Sequence, residues 1–159
     1  MAVMRSCLYI PGNSGKMIGK APHIGADIIT LDLEDSVPPA EKPDARQLVR
    51  ENLEAVGTSG AGVYVRINNW ETLLTNDDLE AVVRPGLDGV ALAKCGHPDH
   101  VRRLGLDVGQ RLISGSIFRL VIESSSLWQA NFSNGIGSVR VDFDSADQKQ
   151  LSRSYRRVA

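Results

Sequence analysis

The stretch GADIITLDLEDSVPPAEKPDAR, residues 25–46, decides how the chain is read. Its apolar run from 27 to 33 predicts a buried strand, and continuous runs of this kind belong to parallel sheets covered on both faces. The strand ends in the acids Asp32, Glu34 and Asp35. Pro43 then sits near the first turn of a helix in which Ala45, Leu48, Val49, Asn52, Leu53 and Val56 return at helical spacing until Gly57 stops it. Strand, acidic turn and helix make one βα unit.

Working outward, the same cadence recurs. Further strands are predicted at 7–10, 63–67, 89–93 and 117–122. A first helix starts near Asn13 or Ser14 and carries Met17, Ile18 and Ala21. A third is signalled by Thr75 as N-cap, with Asp77 and Asp78 in its positive first turn and Leu79, Val82 and Val83 behind, before Pro85-Gly86. A fourth begins around Pro98 and runs through Val101 and Leu104. The class is α/β with right-handed crossovers. Rhythm alone leaves a doubly wound sheet and a (β/α) barrel of the TIM type open. A complete barrel takes ~250 residues. With 159 residues, one domain over 1–159 and about six strands, the barrel reading implies an incomplete one, with about six of eight strands. Residues 124–159 diverge, exchanging regular alternation for Ser, Asn, Gly and finally basic residues.

The 18 basic and 19 acidic side chains lack the basic surplus of a dedicated nucleic-acid binder. Apolar runs stop well short of the ~18 residues that cross a bilayer, so no membrane helix is expected. The opening residues read as a strand and not as a signal region, and Cys7 and Cys95 are too few for a disulfide framework. A reduced, cytoplasmic protein fits. Cys7 and Met17 are expected as packing residues and Tyr64 as half-buried.

Chemistry concentrates at strand ends. Asp32 and Glu34 point to the same side, and carboxylates so close repel unless a cation, an arginine or shared protons compensate. They either anchor the loop or join a metal or water network. Arg66 in VYVRINNW needs an anionic partner, which is a substrate carboxylate or the acidic group itself. Lys94 closes the next strand and binds an anion or forms an ion pair. Glu123 ends the fifth strand and offers Mg²⁺ a hard oxygen, with Asp142 as a second carboxylate and Asp144 as its competitor. PGNSGKM is no P-loop, because Ile10 and Met17 stand where the motif needs Gly and Ser or Thr. Cys95, His97 and His100 lack a coherent zinc spacing.

The strings RSCLYIPGNSGKM, GADIITLDLEDSVPPAEKPDAR, VRIN, GVALAK and LVIES, in this order from Arg5 to about Glu123, resemble the HpcH/HpaI aldolase and citrate lyase beta-subunit family. The resemblance implies a (β/α)₈ barrel that binds Mg²⁺ and assembles as a trimer or hexamer. The implied activity is a Mg²⁺-dependent carbon–carbon lyase that cleaves citryl-CoA, malyl-CoA or a related 3-hydroxyacyl-CoA into an acyl-CoA and a 2-keto acid. Arg66 would hold the substrate carboxylate and Glu123 the metal. The family's second metal carboxylate lies in a GSxDF-like string, to which SVRVDF is similar, which makes Asp142 the candidate. Only 19 positions separate it from Glu123, short for an intervening helix and strand. Glu34 and Asp35 match the acidic pair that organises water near the reacting groups. Lys16 and Lys42 lie in strings near the expected CoA entrance. The alternative is a shortened, noncatalytic homologue that acts only through oligomer or partner contacts.

Overall fold

The computed structural model describes residues 5–111 together with the strands 117–123, 127–133 and 139–143, the last three by backbone alone. The element order is β1 (Cys7–Pro11), α1 (Gly15–Ile18), β2 (Ile28–Asp32), α2 (Lys42–Gly57), β3 (Gly62–Ile67), α3 (Thr75–Val82), β4 (Gly89–Leu92), α4 (Pro98–Arg111), β5 (Ile117–Glu123), β6 (Leu127–Ser133) and β7 (Val139–Phe143). The first five strands pair in parallel with their sequence neighbours.

Right-handed crossovers that step in one direction across a sheet put every helix on the same face. Ile10, Ile29, Leu31, Val63, Val65, Val90 and Leu92 form that face and join Ala45, Val49, Leu53 and Val56 of α2, Leu79 and Val82 of α3, and Val101, Leu104 and Val108 of α4 in one buried cluster. The alternate residues face the other way. In register they are Tyr9, Thr30, Tyr64 and Gly89, then Pro11, Asp32, Arg66 and Ala91.

The expected incomplete barrel is overturned. The strands lie in one open sheet of order β1-β2-β3-β4-β5-β6-β7, with β1 and β7 at opposite edges. Four parallel strands and their helices make the part whose side chains are described. β6 and β7 add to it antiparallel. The physical reason is loop length: three residues separate Glu123 from Leu127. A parallel return takes a crossover of a dozen or more residues, so the chain must double back. Nothing in the repeated βα rhythm of residues 5–111 announces that reversal.

Local chemistry explains the elements and some departures. Pro43 occupies the first turn of α2, where its missing N–H costs nothing. The first helix is one turn only, followed by a 3₁₀ turn at Ala21–His23 with Pro22 in it. Thr75 is not the cap of α3. Leu74 holds that position, and the buried Thr75 hydroxyl donates instead to the Asn68 carbonyl at 3.0 Å. Cys7 is exposed on the edge strand and Met17 is exposed too, while Tyr64 is fully buried. At the amino ends of the strands, the Asp27 carboxylate accepts from the Arg5 and Ser6 N–H groups and Asp88 accepts from the Val63 N–H. No helix among the described residues is long and apolar enough to cross a membrane.

Candidate functional site

Ligands of open α/β sheets bind outside the carboxyl ends of the strands, and here those ends carry the charged side chains. Gly12, just past β1, donates its N–H to the Asp32 carbonyl at 2.8 Å. A Cβ at Gly12 would lie 2.6 Å from that oxygen, so the approach of β1 to β2 requires glycine.

Asp32 and Arg66 are register partners on β2 and β3, so their side chains leave the same face side by side. Arg66 donates Nε–H to Asp32 Oδ1 at 2.8 Å and Nη2–H to Oδ2 at 2.6 Å. Asp32 also accepts the backbone N–H groups of Glu34 (2.8 Å) and Ser36 (3.1 Å). Burial alone would push this carboxyl up, but the hydrogen bonds from Arg66, Ser36 and Glu34 and the Arg66 charge outweigh it and hold it below the usual carboxylate range.

Glu34 faces the same group, with Oε2 3.7 Å from Arg66 Nη1 and Oε1 2.7 Å from Lys94 Nζ. Lys94 also donates to Asp35 Oδ1 at 2.9 Å. These bonds to Glu34 and Asp35 raise the Lys94 ammonium well above its ordinary value, and the Lys94 bond lowers Asp35. Lys94 takes a left-handed backbone conformation, φ 50°, which turns the chain out of β4.

Lys42 is buried and does not reach the surface, contrary to its expected place at a CoA entrance. Its Nζ donates to the carbonyls of Leu33 (2.7 Å) and Glu34 (2.8 Å), and burial lowers its ammonium despite the surrounding acids. Three acids, Asp32, Glu34 and Asp35, thus meet two cations, Arg66 and Lys94, while the Lys42 ammonium holds the carbonyls of the same turn.

Behind it lies a network that sequence reading missed. Asp78 is fully buried and accepts from Arg46 Nε (2.6 Å), the Asn68 N–H (2.8 Å) and Asn68 Nδ2 (2.7 Å). Asn68 Nδ2 also donates to the Leu33 carbonyl at 2.9 Å. The end of β3 and the turn after β2 are therefore fixed to α2 and α3. A signal existed: Arg46 stands three residues before Val49, beside the buried stripe of α2, and an arginine there needs an anion.

Lys16 lies exposed on α1, just beyond the end of β1. The side chains of Glu123 and Asp142 lie outside the described residues. Their backbones sit at the end of β5, opposite Leu127, and on β7, opposite Gln129. The described acids do not fit as magnesium ligands, since Asp32 has all its oxygen positions engaged and Glu34 and Asp35 are bound to Lys94. Among the described residues no cluster of three or more His, Cys, Asp or Glu could hold a metal. Trp70 is structural, with Nε1–H donating to the His100 carbonyl and Arg103 stacked 4.0 Å from its ring centre.

Residues 5–106 match the HpcH/HpaI aldolase/citrate lyase family. The chain belongs to that family. It is 41% identical over 90 residues to the citrate lyase subunit beta of Leuconostoc mesenteroides subsp. cremoris, covering 57% of this chain and 30% of that protein. It is 39% identical over 90 residues to a (3S)-malyl-CoA thioesterase of Cereibacter sphaeroides, covering 57% of this chain and 32% of that one. The solved citrate lyase beta subunit of Mycobacterium tuberculosis, complexed with oxaloacetate and magnesium, superposes with a TM-score of 0.54 at 31% identity, over 65% of this chain and 46% of that chain. The family member described here spans about a third of the length of the curated relatives it matches.

Proposed function

We propose that this protein is a magnesium-dependent carbon–carbon lyase of the citrate lyase beta type, cleaving citryl-CoA, malyl-CoA or a related 3-hydroxyacyl-CoA into an acyl-CoA and a 2-keto acid. The observation that carries the reading is Arg66: a guanidinium held in fixed orientation by Asp32 at the carboxyl end of a parallel sheet, beside acids bound by Lys94. Such a fork suits a planar carboxylate. Arg66 binds and orients the keto-acid carboxylate. Glu34 and Asp35, steadied by Lys94, order water beside it. Lys16, exposed at the rim, meets the phosphates of the CoA half.

Glu123 and Asp142 are the proposed magnesium ligands, and Glu123 also borders the keto acid. A bound Mg²⁺ supplies Lewis-acid polarisation of the keto oxygen and steadies enolate charge. The proposal extends to a single domain over 1–159, a cytoplasmic setting and a homo-oligomer, a trimer or hexamer.

The test is direct. Purified protein with Mg²⁺ and malyl-CoA or citryl-CoA should release a 2-keto acid, and Arg66→Ala should raise the KM for that acyl-CoA about a hundredfold, the effect of losing a charge-assisted contact to its carboxylate. No turnover by the folded protein would replace the reading with that of a noncatalytic homologue acting only through oligomer or partner contacts.

A further inference from the structure

We infer that Asp32 is the positioning residue of the Arg66 site, coupling the guanidinium to the turn that carries Glu34 and Asp35. The inference rests on the reading of Arg66 as a carboxylate receptor and adds a residue to it.

Asp32 is 2% exposed, and each of its oxygens accepts two hydrogen bonds. Oδ1 takes Arg66 Nε and the Glu34 N–H, while Oδ2 takes Arg66 Nη2 and the Ser36 N–H. A carboxylate offers about four acceptor positions, so this one is saturated. It cannot take a proton or a metal without breaking bonds already made. What it does, it does through its partners.

One partner is the side edge of the guanidinium, which the bidentate bond holds in plane. Arg66 Cζ lies over the Tyr9 ring, 5.1 Å from its centroid. The bidentate bond and the ring together hold the guanidinium in place before any ligand arrives, which lowers the ordering cost of binding. The other partners are backbone N–H groups of the turn. Swinging Arg66 would tilt Asp32 against the Glu34 and Ser36 amides. That turn is itself held by Lys42 on the Leu33 and Glu34 carbonyls and by Lys94 on the Glu34 and Asp35 carboxylates. Receptor and acidic turn form one unit with Asp32 at its centre.

The test is hydrogen exchange at the Arg66 Nε–H, followed by ¹⁵N NMR on the full chain, with pyruvate plus Mg²⁺ as the binding probe. In the wild type this proton should exchange at least tenfold more slowly than that of the exposed Arg5. In Asp32→Asn, which keeps the shape but turns one oxygen into an amide donor facing N–H groups, exchange should quicken at least tenfold. The pyruvate Kd should rise at least tenfold, with KM rising more than kcat falls. A merely structural Asp32 would lower the unfolding temperature and quicken exchange at Arg66 but leave the pyruvate Kd unchanged, and that result overturns the inference. If the variant does not fold, the wild-type measurement decides: exchange as fast as at Arg5 overturns it, and slow exchange supports it. If the wild type binds no pyruvate, the proposed function falls, while the exchange comparison still decides whether Asp32 holds the guanidinium.

Discussion

The two faces of the same sheet are built from alternate residues of the same strands and do opposite work. One carries Ile10, Leu31, Val65 and Val90 into a cluster sealed by α2, α3 and α4. The other, one residue further along each strand, carries Pro11, Asp32, Arg66 and Ala91. Burial of apolar area, at roughly 25 cal/mol per Å², holds the first face to its helices. The second face gains little from its ion pair, because the Coulombic attraction of a buried pair is largely offset by desolvation of both charges. The apolar core lies on one face and the ion-pair cluster on the other, with a period of two residues separating them.

The sharpest way to break that contrast is Asp32→Ala. It removes the bidentate partner of Arg66, whose side chain is only 19% exposed, and leaves Glu34 at 3.7 Å, so stability should fall by about 3 kcal/mol in urea unfolding. The double variant Asp32→Leu/Arg66→Met should recover most of that loss while abolishing keto-acid binding. Additive losses in the cycle would show instead that the pair itself stabilises the fold.

The apolar face should respond in the reverse sense. Leu31→Ala should cost about 2–5 kcal/mol by leaving a cavity beneath the helices, with the keto-acid Kd of the folded protein unchanged in calorimetric titration. Where the faces meet at the ends of β1 and β2, Gly12→Ala forces a methyl against the Asp32 carbonyl. It should cost about 1–3 kcal/mol and weaken ligand binding together with stability, as measured by parallel unfolding and titration.

The smallest effect is a pH dependence. Asp32 and Asp35 have carboxyls lowered on folding, and Asp27, held by Arg5 and Ser6, is lowered to about 2. A group lowered on folding stabilises above its unfolded value, and that contribution fades as pH falls through the folded value. Unfolding temperature should therefore be flat at neutral pH and decline from about pH 4 towards pH 2. A Leu31→Ala variant should show the same slope, since the titrating groups lie off its face.

Much of this was legible in residues 5–111, where each βα unit carries its own signals: Pro43 in a first turn, helical spacing from Ala45 to Val56, apolar runs at the strands. The acids beside Arg66 were equally visible, because tightly spaced carboxylates demand compensation. Which cation compensates which acid was not legible. The Asp32–Arg66 bond joins residues 34 positions apart and depends on the register of β2 against β3. Lys42 misled for a related reason. The resemblance put it near a CoA entrance, yet here the turn after β2 folds two carbonyls onto its ammonium. The reversal after β5 is a fact of three-residue loop length, and a reading attuned to βα rhythm looked for another helix.

On the proposed function, the polar face is a carboxylate receptor built on Arg66. Thermal unfolding of the full chain with Mg²⁺, with oxaloacetate and with both tests it most directly, because a ligand that binds the folded state raises the transition by mass action. The account predicts an upward shift with the combination in the wild type and none in Arg66→Gln. An unshifted wild type, or an equal shift in the variant, would contradict it.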